Sequence, residues 1–224
     1  MLSQNTLEFY RQLRRNNNKE WFDRNRKWYD EVKKDYFRFT AELLAKIRAF
    51  DPGLGHLQPK ECVFRINRDI RFSADKTPYK THLGIFMTPG GRNLNYAGYY
   101  VQIDEEGGSF AGGGCYMPQA ETLKKIRREI ADFYEDLESV LNAENFKNTF
   151  SDLDRDQDTV LLRPPKGFEA NHPATNYLKF KSFTATRKIE SQLLTNPNGI
   201  NTVIQILQNL QPLNQFLNRA LKSE

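Results

Sequence analysis

With 224 residues, of which 38% are hydrophobic, 12% aromatic and 27% charged, the chain carries enough apolar bulk to offset its ordering entropy, and a single domain over residues 1–224 is expected. No stretch approaches the roughly 20 apolar residues of a membrane span, the start Met1-Leu2-Ser3-Gln4-Asn5 lacks the pattern of a secretory leader, and two cysteines make no disulfide framework or metal spacing. A cytoplasmic protein with no membrane partner and with Cys62 and Cys115 reduced is expected, and its net charge of +5 is local: residues 60–82 hold six Lys/Arg against three acids, residues 163–188 six against one, and the remainder sums to −3.

In chain order, Asn5 and Glu8 resemble a capping box that opens a first helix through Leu13, and the run Asn16-Asn17-Asn18 ends it and caps a second. Trp21, Trp28, Val32, Tyr36, Phe39, Leu43, Ile47 and Phe50 then recur at helical spacing, widened by Phe22, Tyr29 and Phe37, until Asp51-Pro52-Gly53. Four short β-type runs follow: Cys62 to Ser73, Leu83 to Thr88, Tyr96 to Asp104 and Ser109 to Tyr116, with turns at Pro89-Gly90-Gly91 and Glu106-Gly107-Gly108. Their connections are too short for parallel crossovers, so the fold class is α+β, an antiparallel meander packed against N-terminal, middle and C-terminal helices. A helix is expected after Pro118 along Leu123, Ile126, Ile130, Phe133, Tyr134, Leu137 and Leu141, then an acidic surface loop over 151–158. Strands at Thr159 to Leu162 and Phe180 to Lys188 flank a basic loop and a short element near His172-Pro173, and two terminal helices are expected on either side of Pro212.

The chemistry concentrates in residues 64–82. A regular strand would put Phe64, Ile66, Ile70 and Phe72 on one face and Arg65, Asn67, Asp69 and Arg71 on the other. Arg68 then falls on the apolar side, so it is buried with a partner, sits at a bulge that resets the register, or faces a pocket. Converging guanidinium forks match phosphate or carboxylate oxygens two at a time, which makes Arg65, Arg68, Arg71, Lys76 and Lys80 candidate ligand-binding residues; an Arg/Asp network closing the sheet edge is the structural alternative.

Over this segment the sequence resembles a bacterial family catalogued as domain of unknown function 2461. The likeness is carried by Asn17-Asn18-Lys19-Glu20-Trp21-Phe22, by Arg65, Arg68, Asp69, Arg71 and Phe72 followed by Asp75, Lys76 and Tyr79, by Gly112-Gly113-Gly114, and by Pro165-Lys166-Gly167-Phe168 with His172-Pro173. The resemblance implies no activity.

Familiar motifs fail when spelled out. Gly107 and Gly112 have phosphate-loop spacing, but Gly113 stands where the lysine belongs; Gly112 and Gly114 lack the third glycine of a dinucleotide fingerprint, which falls on Met117; and Gly107 to Ala111 misses the last glycine of a nucleophile elbow. Three histidines without a close pair argue against a metal, and no cofactor is identified. Two functions stay open. One is a pocket for an anionic small molecule, in an enzyme where His82, Asp69 or Tyr79 is the acid or base. The other is a module without chemistry that binds single-stranded nucleic acid or a protein, with Tyr96, Tyr99 and Tyr100 as stacking platforms. The charge division adds the expectation that Lys166, His172, Lys179 or Lys181 joins the arginines in one pocket.

Overall fold

The computed structural model of the protein describes residues 1–89, 91, 96–106, 108–169 and 171–222. Among them, helices accompany one antiparallel sheet, β1 (Leu83–Met87), β2 (Gly98–Ile103), β3 (Phe110–Cys115) and β4 (Phe183–Lys188), hydrogen-bonded in the order β1-β2-β3-β4. The fold class is therefore the expected α+β. Strand alternation is clean in β2, where Tyr99, Val101 and Ile103 are buried while Tyr100 and Gln102 on the opposite face are half-buried. Gly90 and Gly107, in two of the expected turns, lie outside the described residues. The chain forms two compact units: Met1–Met87 with Tyr100–Ala111 and Lys188–Gln205, and Thr88–Tyr99 with Gly112–Arg187 and Ile206–Glu224.

In the first unit, α1 (Gln4–Arg15) starts one residue before the expected capping box. Its N-cap is Ser3, whose hydroxyl accepts from the Thr6 N–H. The reason lies in α3 (Arg26–Ile47), where the buried Asp35 carboxylate accepts from the Ser3 N–H at 2.8 Å, the Ser3 hydroxyl at 2.9 Å and the Thr6 hydroxyl at 2.6 Å, and also pairs with Arg38. One acid thus fixes where α1 begins and how it lies on α3. The single helix expected from Trp21 to Phe50 is two, α2 (Lys19–Arg24) and α3, joined at Asn25, whose backbone (φ −102°, ψ 17°) leaves the helical values and whose side-chain amide donates to the Trp21 carbonyl at 2.9 Å. Phe22, Tyr29, Val32, Tyr36, Phe39, Leu43 and Ile47 form the buried stripe, whereas Trp21 and Trp28 are only half-buried. A short α4 (Pro59–Cys62) follows.

The second unit holds α5 (Ala120–Asp132), α6 (Tyr134–Asn142), α7 (Glu144–Phe150) and α8 (Thr175–Leu178). The middle helix expected as one is interrupted at Phe133, which is exposed instead of core, and α7 was not anticipated. Thr159 to Leu162 forms no strand; only Val160 bridges Phe180. The three glycines of β3 are demanded by their sheet neighbours: a Cβ would lie 2.1 Å from the Ala185 carbonyl at Gly112, 2.0 Å from that of Gly98 at Gly113 and 2.1 Å from that of Phe183 at Gly114.

The terminal helix α9 (Gly199–Lys222) runs through Pro212 and is not divided by it. Proline cannot return a hydrogen bond to the Gln208 carbonyl. Burial of Val203, Leu207 and Leu210 before it and Leu213 and Leu217 after it outweighs that loss and keeps the helix continuous. Both cysteines are free and buried, and burial pushes the Cys115 thiol up to about 12. Among the described residues no helix is long and apolar enough to cross a membrane.

Asp35→Ala should cost about 3 kcal/mol, because it strips the acceptor from three donors at the start of α1. Arg38→Ala should cost less than about 1 kcal/mol, since Arg38 is 69% exposed. Urea midpoints compare the two, and equal losses would show that the surface pair, not the α1 cap, holds the carboxylate's contribution.

Candidate anion site on a basic hairpin

The expected strand from Cys62 to Ser73 is absent. Cys62 ends α4, and residues 63–85 form an irregular hairpin instead. At its open end Val63 bridges Ile85, and the Phe64 N–H donates to the Gly84 carbonyl at 3.2 Å. Nearer the tip Asn67 bridges Tyr79, the Lys80 N–H donates to Ile66 at 2.8 Å and the Arg68 N–H to Pro78 at 2.9 Å. The pairing slips by two residues between these ends, so Thr81, His82 and Leu83 stand opposite Arg65 alone. This is the bulge that the sequence left open, although it lies across from Arg65 and not at Arg68.

Beyond Arg68 the alternation breaks. Ile66 is buried, but Phe72 is 95% exposed and Phe64 42%. The cause is local: Asp69 Oδ1 accepts from the Arg71 N–H at 3.3 Å and Asp75 Oδ1 from the Thr77 N–H at 2.9 Å, which turns residues 69–77 into a loop. Arg68 fastens that loop. Its guanidinium donates to the Asp75 carboxylate, to the Thr77 carbonyl at 3.2 Å, to the Thr77 hydroxyl and to the Ser73 hydroxyl at 3.4 Å. Backbone Thr77 N–H first, then Arg68 and the Thr77 hydroxyl, hold the Asp75 carboxyl down at about 2. Arg71 forks onto Asp69 at 2.9 and 2.7 Å, and lowers that carboxyl's pKa in turn. Lys76 donates to the Ile70 carbonyl at 3.0 Å.

Three of the candidate cations therefore have acceptors within their own loop. Arg65 and Lys80 differ. Arg65 is exposed, and the Lys80 ammonium lies 5.2 Å from the centroid of the Phe64 ring, with no carboxylate on either among the described residues. Burial, and then the charge of Arg65, lower the Lys80 pKa. His82, in the bulge, is half-buried; burial lowers its pKa, Asp104 works against that, and Lys80, Arg14 and Arg68 add to the lowering, so its imidazole is neutral at pH 7. The Tyr79 ring stacks on Phe22 with centroids 4.1 Å apart, and burial raises its pKa. Asp69 is engaged by Arg71. Of the three candidates for proton transfer, Asp69 is the one held by an ion pair among the described residues.

Two residues outside the arginine segment complete this surface. Asn17 faces Tyr79 as a strand would, its Nδ2 donating to the Tyr79 carbonyl at 2.9 Å and its Oδ1 accepting from the Tyr79 N–H at 3.1 Å. Arg14, at the end of α1, pairs with Asp104 and Glu106 and bears on His82. The sequence signal for this contact was a pair of opposite charge runs, Arg14-Arg15 and Asp104-Glu105-Glu106. Beside Phe64 the aromatic contacts continue to Tyr100 at 6.3 Å and from Tyr100 to Phe110 at 5.5 Å. Tyr99 is 1% exposed and so cannot be a stacking platform; Tyr96 is half-buried in the second unit.

In the second unit, Lys166 is exposed in a turn completed by Gly167 at φ 89°. His172 Nδ1 accepts from the Ala174 N–H at 3.1 Å, a turn-closing role. Lys181 donates to the Asp158 carbonyl at 2.8 Å. Sequence reading missed Arg127, whose guanidinium donates to the Phe180 carbonyl at 2.9 Å while its buried Nε has no partner among the described residues, and burial lowers its pKa.

Fold and hairpin together define an α+β protein with a stapled basic loop. The chain belongs to the family described as conserved hypothetical protein (DUF2461), whose model matches residues 5–216. Neither a curated protein nor a solved structure matches it.

Because Arg68 is 25% exposed and bonded four ways, Arg68→Ala should cost about 2 kcal/mol while Arg65→Ala leaves the urea midpoint within about 0.5 kcal/mol. Loop order should also depend on acid. A carboxyl held at about 2 against an unfolded value of about 3.9 stabilises fully above about pH 4, and that contribution is lost as pH falls through about 2. The Thr77 amide resonance, followed from pH 6 to 2, should move with a midpoint near 2; a midpoint near 4 would mean that Asp75 is not engaged.

Proposed function

We propose that the protein binds a phosphate- or carboxylate-bearing ligand at Arg65, Lys80 and His82. The observation that supports it is the pairing of like charges: Arg65 acts on a partly desolvated Lys80 whose ammonium lies 5.2 Å from the Phe64 ring centroid, and among the described residues neither makes an ion pair, Asp69 reaching Arg65 only through its longer-range field. Two cations so placed repel each other, and an anion between them would convert that repulsion into two charge-assisted hydrogen bonds. His82, neutral and set by the bulge on the same hairpin, is the group that could donate to the anion or take a proton from a bound hydroxyl. Arg68, tied to Asp75, shapes the site in this reading and does not supply its charge, whereas the exposed Arg71–Asp69 pair can open to a ligand.

The test is thermal unfolding with inorganic phosphate. At ten times Kd, ligand linkage gives about 1.4 kcal/mol, or roughly 3–5 °C for a chain of this size. The shift should vanish in a double variant Arg65→Met with Lys80→Met and persist in Lys27→Met with Lys33→Met, which removes the same charge from α3. Equal shifts in both double variants, or none in the wild-type chain with phosphate, pyrophosphate and citrate, would reject the site.

A further inference from the structure

The hairpin displays a second feature that anion binding alone does not use. Two of its aromatic rings are exposed to an extent unusual for phenylalanine, and each carries a cation beside it: Phe64 with Lys80 at 5.2 Å, and Phe72 with Arg71 at 5.8 Å. Over residues 63–85 five Lys/Arg face two Asp, a formal charge of +3. We infer that this hairpin is a landing site for single-stranded nucleic acid, with Phe64 and Phe72 stacking on bases and Lys80, Arg65 and Arg71 meeting phosphates. The inference rests on the anion site proposed above and names its ligand class.

Each nucleotide of a single strand offers a flat π face and one negative charge, and each ring–cation pair offers the complement. An acidic protein would match the charge but has no regular supply of planar faces, and a duplex hides its bases within the stack. Spacing argues for an oligomer. Phe64 lies at the open end of the ladder, three residues or about 10 Å of strand before Asn67, and Phe72 lies past Arg68 in the loop, so one nucleotide cannot reach both rings. The loop is also rigid where a binding tip needs to be: Arg68, Asp75, Thr77 and Ser73 tie its two arms, and Lys76 with the Ser73 N–H closes on the Ile70 carbonyl. A solvent-facing phenylalanine on a loop so fastened loses little freedom when a base covers it. Arg71 is 75% exposed, and its Asp69 pair in water is weak enough to exchange for a phosphate oxygen.

Fluorescence anisotropy with end-labelled oligo(dT) and oligo(U) of two, four, eight and twelve nucleotides tests this, alongside an eight-base-pair duplex and polyglutamate as a competitor. The eight-mer should bind at least ten-fold tighter than the dinucleotide, with a log–log salt slope of about −2 for three cation contacts. Phe72→Ala and Phe64→Leu should each weaken the eight-mer about five-fold or more. Phe72→Ala removes no packing and should leave both the melting temperature and its response to phosphate unchanged, which separates stacking from folding. A duplex or polyglutamate bound as well as the single strand, or a Phe72→Ala variant with full affinity, would overturn the inference. Oligonucleotides that fail to bind a chain still stabilised by phosphate would overturn it and leave the anion site standing; failure of both ligands would reject both.

Discussion

The side-chain amide of Asn17 on the backbone of Tyr79 is the contact on which the basic hairpin depends. An amide presents one donor and one acceptor at the spacing of a peptide group, and here both are spent on the same residue, at 2.9 and 3.1 Å. The hairpin's own ladder is short, with isolated bridges and a few backbone hydrogen bonds, so an outside partner adds to what holds its register. Asn17 supplies one more rung from the link between α1 and α2. Tyr79 is held a second time by its ring, stacked on Phe22 of α2, and Phe22 in turn contacts Phe9 and Tyr29 in the aromatic core. Position is thereby passed from the core to one backbone unit of the hairpin, and from there to its neighbours Lys80 and, across the ladder, Asn67.

The two-residue slip is the consequence of anchoring both ends. The open end is fixed by its continuation into β1, where Ile85 lies in the core, and the tip by Asn17. Between two fixed registers the surplus of Thr81, His82 and Leu83 has to bulge, which lifts His82 out of strand alternation toward Arg14 and Asp104. A histidine in a regular strand at this position would face either the core or bulk water. In the bulge it is half-buried among four charged groups, a setting that keeps it neutral yet responsive to any charge that arrives.

Much of this was legible in the sequence, and the remainder was hidden for definite reasons. Runs of β-type residues between turns located β1, β2 and β3, and helical spacing located the stripe of α3, because burial of one helix face is written into residue order. The same rule failed at residues 69–73, where Asp69 and Asp75 bond to their own loop and Phe72 faces water in spite of its even spacing from Ile66. It failed again at Pro212, since burial on both sides of a proline cannot be seen from the proline. For the site, the composition of the hairpin was plain, but which cations were spent was not. Asp75 lies seven residues from Arg68 and Arg71 only two from Asp69, and only coordinates show that these acids take Arg68 and Arg71 and leave Arg65 and Lys80. Asn17 stood in the motif without a visible purpose, because its partner is a backbone group 62 residues away.

In the proposed reading, the arginines divide between a structural network and a binding site. A network in which every guanidinium is satisfied gains order and loses attraction for a ligand, while a cluster of free cations gains attraction and loses order through repulsion. The hairpin separates the two costs. Arg68 and Asp75 form an ion pair that orders the tip, and Arg65 with Lys80 sits on the ladder, where the backbone is held by Asn17 and the Ile66–Lys80 bond. Repulsion between Arg65 and Lys80 therefore acts on side chains whose backbone is already held. For an anion that binds as proposed, the backbone carrying both cations is already in place, so that less of the binding energy goes into ordering it.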